Sequence, residues 1–270
     1  MRVSIQSNVG ASYRGYLAGT DDLRASLLNE AFASDEFDAF FFARGGYGIM
    51  RILDRIDYGA LRDYPRPIVG FSDVTALLHA VASQAGVATF HGPMLNLDFH
   101  DGLAPDIEQW LWSMLAGDAG LERTFDRSMV LRGGSAEGVF FGGCLSLQVA
   151  LIDTPYEFWV DDGIWFWEDV DEPLYRIDRM LTHLRLSGRL NSLRAVMIGK
   201  LKSCDNPARG DFEKLLLETF DDSAIPILYN LPFGHHGNNL ALPVGLVGQV
   251  DADSCQIRFS DPAVELIRGT

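Results

Sequence analysis

The sequence predicts an α/β protein of two domains, and three observations carry that reading. Short apolar runs alternate with helical periodicity along the chain, the arrangement that stacks helices against a mostly parallel sheet. Phe37 to Ala43 (FDAFFFA) is almost continuously apolar, as expected of a strand covered on both faces. Ile68-Val69-Gly70-Phe71-Ser72-Asp73 then runs straight into the helix-forming Val74 to Leu78, so a strand turns sharply into a helix at a serine. The first, parallel-sheet domain is expected over residues 1–116 and a second, mixed α/β domain with a β-rich core over 139–270. A charged, Gly-containing stretch at 117–138 reads as the linker between them.

In chain order, residues 1–20 are expected to give a short strand and then a loop rich in Gly and Tyr. Thr20-Asp21-Asp22 caps a helix to about Ala33, with Leu23, Leu27, Leu28 and Ala31 on its apolar face. Arg44-Gly45-Gly46-Tyr47-Gly48 breaks the aromatic strand, and a helix follows to about Ile56. After the Ser72 strand and its helix to about Ala85 come a strand, Val87 to His91, and a helix around Ile107 to Leu115. The second domain starts with the strand Val139 to Gly143 and a helix to about Ile152. Its apolar strand Ile164-Trp165-Phe166-Trp167 ends abruptly in Glu168-Asp169. A helix over Leu174 to Leu186, a strand from Ala195, a helix from Asp211 and a strand from Ile225 lead to the loop Asn230 to Asn239 and short β segments up to Phe259.

Composition narrows the partners. The 37 acidic against 22 basic residues give a formal charge of −15, which disfavours nucleic acid or an anionic membrane surface and leaves a small molecule or peptide. Cys144, Cys204 and Cys255 are odd in number and widely spaced, so neither a disulfide framework nor a zinc site is expected. No signal-peptide core and no apolar run of about 18 residues occurs, so the protein is expected to be soluble and cytoplasmic.

Ligands of such sheets gather at the carboxyl ends of strands, where Gly45-Gly46, Ser72 and His91 fall. Ser72 is a candidate nucleophile: the bend lifts its hydroxyl off the sheet, and the following amides are free to hold an oxyanion. Gly-x-Ser-Asp before a helix is also the form of an ordinary cap, with Ser72 or Asp73 accepting from the first-turn amides. Six histidines could supply the base. His79 lies about 10 Å along the helix axis from Ser72, too far to bond it, and reads as a packing residue. His100 and His183 read as solvated or capping, and His91 as holding a turn. His235 stands in Leu231-Pro232-Phe233-Gly234-His235-His236-Gly237-Asn238-Asn239, a long polar turn of the kind that presents a side chain, with His236 as its direct competitor. Glu168, closing a buried strand, needs a partner such as an imidazolium; the competing reading is that Glu168, Asp169, Asp171 and Glu172 form a solvated acidic turn. A metal at that turn lacks a histidine at ligand spacing. Gly45-Gly46 lacks the full G-x-G-x-x-G pattern and a P-loop lysine, so its amides are candidates for an oxyanion hole rather than a phosphate cradle.

These blocks together closely resemble the LD-carboxypeptidase family of serine peptidases, which includes muramoyltetrapeptide carboxypeptidases and microcin-immunity peptidases. The resemblance rests on Ala43-Arg44-Gly45-Gly46-Tyr47-Gly48 with Arg51-Ile52-Leu53, Gly70-Phe71-Ser72-Asp73-Val74-Thr75, His91-Gly92-Pro93-Met94, Gly142-Gly143-Cys144-Leu145-Ser146, Glu168-Asp169-Val170 with Tyr175-Arg176-Ile177-Asp178-Arg179, and Pro232-Phe233-Gly234-His235 with Asn239 and Leu242-Pro243-Val244-Gly245, in family order from about residue 15 to 248. It implies a Rossmann/flavodoxin-like N-terminal domain, a site at the domain interface, a Ser72-Glu168-His235 triad, and an oxyanion hole from the backbone amides of Asp73 and Gly46. The implied reaction is hydrolysis of the L,D amide that releases terminal D-alanine from peptidoglycan-derived tetrapeptides in murein recycling, with no metal or organic cofactor. Arg51 and Arg176 are candidates for the substrate carboxylate, with a structural salt bridge as the competing role of each. The alternatives are a hydrolase of aminoacyl-nucleotide (microcin C-like) conjugates and a catalytically silent muropeptide-binding relative; the complete Ser, Glu and His set argues against the latter. The oligomeric state, including a homodimer, is left open. Two departures from the family pattern stand out. The first strand and Ala-Pro-Ser-Ser-like loop of relatives is reduced here to residues 1–12, and Cys144 stands where relatives commonly carry Asn.

Overall fold

The computed structural model describes residues 2–204 and 209–264. In its first half, α1 (Asp21–Ala33), β1 (Phe40–Phe41), α2 (Tyr58–Asp63), β2 (Ile68–Gly70), α3 (Thr75–Ala85), β3 (Thr89–His91) and α4 (Pro105–Leu115) follow one another. The second half contributes β4 (Leu121–Thr124), β5 (Val130–Arg132), β6 (Ser135–Cys144), α5 (Leu145–Leu151), β7 (Ile164–Glu168), α6 (Leu174–Leu186), β8 (Ala195–Gly199), α7 (Arg209–Thr219), β9 (Ile227–Leu231), β10 (Leu242–Val244), β11 (Leu246–Asp251) and β12 (Gln256–Phe259).

Two sheets result. The smaller has the order β1-β2-β3-β10, parallel except that β10 runs antiparallel to β3, so a strand from the C-terminal half completes the sheet that leads to Ser72. The larger has the order β4-β12-β11-β6-β7-β8-β9-β5, parallel from β6 to β9 and antiparallel on both flanks. The α/β class and the mixed, β-rich second half are therefore as expected.

The strands β7 and β8 are buried throughout, as parallel strands with both faces covered must be. Their side chains alternate between two cores with the period of 2 that a pleated strand imposes. Phe140, Ile164, Phe166 and Met197 share a cluster with Val69 and Phe90 of the small sheet, whereas Phe141, Trp165, Trp167, Val196 and Ile198 pack with Ile177, Leu181 and Leu184 of α6. The first cluster joins the two sheets, and the site lies along that seam.

Several local expectations need correction. No strand forms over residues 2–12, which hold turns instead. The aromatic run Phe37 to Ala43 yields only the two-residue β1, half-buried, because it is a sheet edge paired to β2 alone. In α1 the inward face is Arg24, Ala25, Ala31 and Phe32, while Leu23 is 44 % exposed. Arg24 is drawn inward because its guanidinium donates to the Gly48 carbonyl (3.1 Å) and pairs with Asp21 (2.6 Å). The helix expected after Gly48 is two 3-10 turns, Ile49–Arg51 and Leu53–Arg55, interrupted at Ile52 with φ −123°. The stretch 117–138, expected as a loose link, supplies β4 and β5 to the two flanks of the large sheet. Short, charged edge strands carry little apolar pattern, which is why they read as linker. Among the described residues no helix is long and apolar enough to cross a membrane.

Candidate active site

Ser72 sits on a strained turn. β2 ends at Gly70, Phe71 is extended, and Ser72 takes φ +62°, in the left-handed region that costs a side-chain-bearing residue roughly 1–3 kcal/mol. A Cβ on Gly70 would lie 2.8 Å from Cγ1 of Val74, so the turn can be this tight only over a glycine. The geometry points the Ser72 hydroxyl away from the sheet, where its Oγ lies 3.0 Å from Nε2 of His235.

His235 is held from its other side. Oε2 of Glu168 accepts from Nδ1 of His235 (2.6 Å) and from the His235 backbone N–H (3.0 Å). Glu168 is fully buried at the end of β7, and Gly234, with φ +98°, lies so close that a Cβ there would stand 2.5 Å from its Cγ. The Gly234 N–H in turn donates to Oδ1 of Asn239 (2.8 Å), closing the loop that presents the imidazole. Phe71 meets the His235 ring edge-on at 4.9 Å between centroids. Burial opposes the charged form of His235, but the hydrogen bond and negative charge of Glu168 outweigh it and hold the imidazole above its ordinary pKa.

The remaining carboxylates of the acidic turn go elsewhere, so it is not a solvated acidic cluster. Asp169 is buried and accepts from the Ser146 N–H at the start of α5 and from the Val170 N–H that follows it in the chain (2.8 Å each). Glu172 pairs with Arg176 at 3.5 Å, and Asp171 is exposed. Asp73, following Ser72, uses its carboxylate to accept the Ile49 N–H (2.9 Å), which bolts the Gly45–Gly48 turn to the serine turn. Gly45 presses on Ser72: a Cβ there would be 2.7 Å from Cβ and 2.8 Å from Oγ of Ser72, and 3.6 Å from the Asp73 nitrogen. Gly46 beside it has φ +124°.

Comparison with known proteins places both halves of the chain in one family. Residues 1–92 match the LD-carboxypeptidase N-terminal domain and residues 137–250 the LD-carboxypeptidase C-terminal domain. The murein tetrapeptide carboxypeptidase of Pseudomonas aeruginosa is 33% identical over 247 residues, covering 88% of this chain and 80% of that protein. The chain belongs to the LD-carboxypeptidase family. The crystal structure of muramoyltetrapeptide carboxypeptidase from Oxalobacter formigenes superposes with a TM-score of 0.81 at 27% identity, covering 90% of this chain and 86% of that one. The microcin C7 self-immunity protein MccF of Escherichia coli is 27% identical over 278 residues, covering 91% of this chain and 80% of MccF.

Within this LD-carboxypeptidase, the other residues singled out from sequence fall as follows. His79 is buried, with Nε2 3.0 Å from the Gly142 carbonyl, and His91 is buried among Phe71, Phe166 and Phe233. Burial lowers the pKa of each to about 4, so both rings stay neutral. His100 and His183 are exposed. His236 turns away from Ser72 to Lys200, whose Nζ is 2.9 Å from its Nε2. Arg51 forms a two-pronged ion pair with Asp21 (3.1 and 2.5 Å). Cys144 is buried, its N–H donating to Oγ1 of Thr75 (3.1 Å), and burial foremost pushes its thiol well above the ordinary range.

Sequence reasoning assigned no role to Asn239, Lys200 or Lys202, and it read the Asp73 carboxylate as an alternative helix cap, whereas it accepts the Ile49 N–H. Asn239 could have been found from its place closing a polar loop with a buried end. The lysines gave no signal, because what distinguishes them is a cavity of about 330 Å³ between β8 and the His235 loop.

Proposed function

We propose that the protein is a serine LD-carboxypeptidase that cleaves the L,D amide before the terminal D-alanine of peptidoglycan-derived tetrapeptides, in the cytoplasm. The observation that carries this reading is the relay Ser72 Oγ to His235 Nε2 at 3.0 Å and His235 Nδ1 to Glu168 Oε2 at 2.6 Å. Nδ1 donates to the carboxylate, which leaves Nε2 as the free base facing the serine. Ser72 attacks the amide carbonyl while His235 takes its proton; the tetrahedral oxyanion is met by the backbone N–H groups of Asp73 and Gly46. His235 then returns the proton to the leaving nitrogen, D-alanine departs, and a water activated by the same imidazole hydrolyses the acyl-enzyme. Glu168 keeps the ring in its productive tautomer and stabilises the imidazolium.

Support for a peptide rather than an aminoacyl-nucleotide substrate comes from residues 117–138. Stacking a base on an aromatic ring contributes about 1–3 kcal/mol, and Phe125, the one aromatic residue of that stretch, is packed against the core. The deciding experiment compares kcat/KM for D-alanine release from an L,D-tetrapeptide with that for an aminoacyl sulfamoyl adenylate on one preparation. Preference for the nucleotide would overturn the substrate. Failure of Ser72 to label with a fluorophosphonate, in a preparation inactive on both substrates, would make the protein a silent binder.

A further inference from the structure

A carboxypeptidase recognises the free carboxylate that marks the end of its substrate, and here that group belongs to the departing amino acid. His235 must protonate the departing nitrogen, so the leaving group lies on the His235 side of Ser72. One carbon separates that nitrogen from the carboxylate, which therefore falls within a few ångströms of the imidazole. On this side lies the cavity of about 330 Å³ lined by His235, His236, Gly237, Asn230, Lys200 and Lys202.

The two lysines are unusual in a chain with 37 acidic and 22 basic residues. Most of the arginines near the site are already paired: Arg24 and Arg51 with Asp21, Arg176 with Glu172. Neither Lys200 nor Lys202 forms an ion pair among the described residues. Nζ of Lys200 lies 2.9 Å from Nε2 of His236, a ring whose pKa is lowered by burial and by that ammonium, and at least two of the three donors of the lysine stay available. Lys202 is exposed, and the strand end Gly199-Lys200 is fixed by the bond from the Lys200 N–H to the Phe233 carbonyl (3.1 Å). Two positive charges beside His235, with no ion pair among the described residues, form a site for an anion, and charge-assisted bonds to a carboxylate are about twice as strong as neutral ones.

We propose that Lys200 and Lys202, converging on the cavity beside His235, bind the terminal carboxylate of the substrate and so confine the enzyme to chain ends. This assignment rests on the LD-carboxypeptidase reading and replaces Arg51 and Arg176 in that role. A substrate whose end is capped as an amide brings no charge to the lysines and is rejected for that reason.

The test measures kcat/KM on an L,D-tetrapeptide ending in D-alanine and on the same peptide ending in D-alaninamide, for the parent enzyme and for Lys200→Met, Lys202→Met and the double variant. Fluorophosphonate labelling of Ser72 serves as the check that the triad is intact in each. The parent is expected to prefer the free acid by about 10²-fold or more, in the range found when one partner of a hydrogen-bonded charge pair is removed. The double variant is expected to lose most of that ratio through a higher KM for the acid, with the amide rate little changed and Lys→Arg variants recovering part of the ratio. An unchanged ratio in a labelling-competent double variant overturns the proposal and leaves the carboxypeptidase reading standing, as does a parent that cleaves acid and amide alike. A parent that cleaves neither peptide overturns both.

Discussion

Gly45→Ala isolates the contact between the Gly45–Gly48 turn and the nucleophile. The added methyl carbon would stand 2.7 Å from Cβ and 2.8 Å from Oγ of Ser72. Carbon atoms rest at about 3.5 Å or more, so roughly 0.8 Å of separation must be recovered. The methyl cannot retreat, because the Asp73 carboxylate ties this turn to the serine through the Ile49 N–H. Ser72 has to move instead, away from its 3.0 Å contact with His235. A misplacement near 1 Å in a catalytic group costs about 10²-fold in rate. Stability should suffer much less, since Gly45 is not among the glycines with positive φ. Overpacking of about 1 kcal/mol corresponds to a fall in Tm of about 2–4 °C. The assay is kcat/KM for D-alanine release together with a thermal melt, with Gly210→Ala, whose Cβ would meet nothing within 4 Å, as the remote control. Full activity in Gly45→Ala at an unchanged Tm would refute the inference that this turn fixes the serine.

Three further outcomes are expected. Ser72→Ala and His235→Ala should each remove nearly all hydrolysis, since triad members act as a unit, whereas His236→Ala keeps a functional triad; a dead His236→Ala beside an active His235→Ala would reverse the base assignment. Glu168→Gln should lower kcat by about 10⁴-fold. Because Glu168 holds the His235 pKa up, the acid limb of kcat/KM, which rises as the imidazole loses its proton, should lie above pH 6.5 in the parent and shift down in the variant; an unmoved limb would assign it to another group, such as buried Asp98, pushed up to about 6. Finally, His79 and His91 have folded pKa values near 4 against 6.5 when unfolded, so below pH 6.5 the unfolded chain takes up protons that the folded chain refuses. Each removes up to about 3 kcal/mol of stability between pH 6.5 and 4, and His79→Gln should therefore show a shallower fall of urea midpoint with acid than its parent.

The elements that bear the proposed triad were legible because sequence punctuates them sharply. Gly70-Phe71-Ser72-Asp73 interrupts an apolar run, Trp167-Glu168 ends one, and Gly234-His235 lies in a polar loop between strands, each a place where backbone geometry forces a side chain out. The structure at 49–55 was hidden because the Ile49 N–H is captured by a carboxylate 24 residues away, a competition no local pattern records. β4 and β5 were hidden because an edge strand needs only one covered face and tolerates Glu122, Arg123 and Arg132. The inward turn of Arg24 was likewise unreadable, since its acceptor, the Gly48 carbonyl, belongs to a different element. The cavity lysines depend on a strand end and a loop more than 30 residues apart in sequence.

The seating of β10 against β3 also governs when the site can exist. Leu242, Pro243 and Val244 pair with His91, Phe90 and Thr89, and His235 reaches back across 163 residues to Ser72. A ribosome adds about 5–20 residues per second, so roughly 10–30 s separate the emergence of the serine from that of the strand that closes its sheet. During that interval the nascent chain holds Ser72 without His235 and a sheet with an open edge. Hydrolytic competence thus arrives late and all at once, and a transcript truncated before residue 244 should yield an aggregation-prone fragment rather than a weakened enzyme.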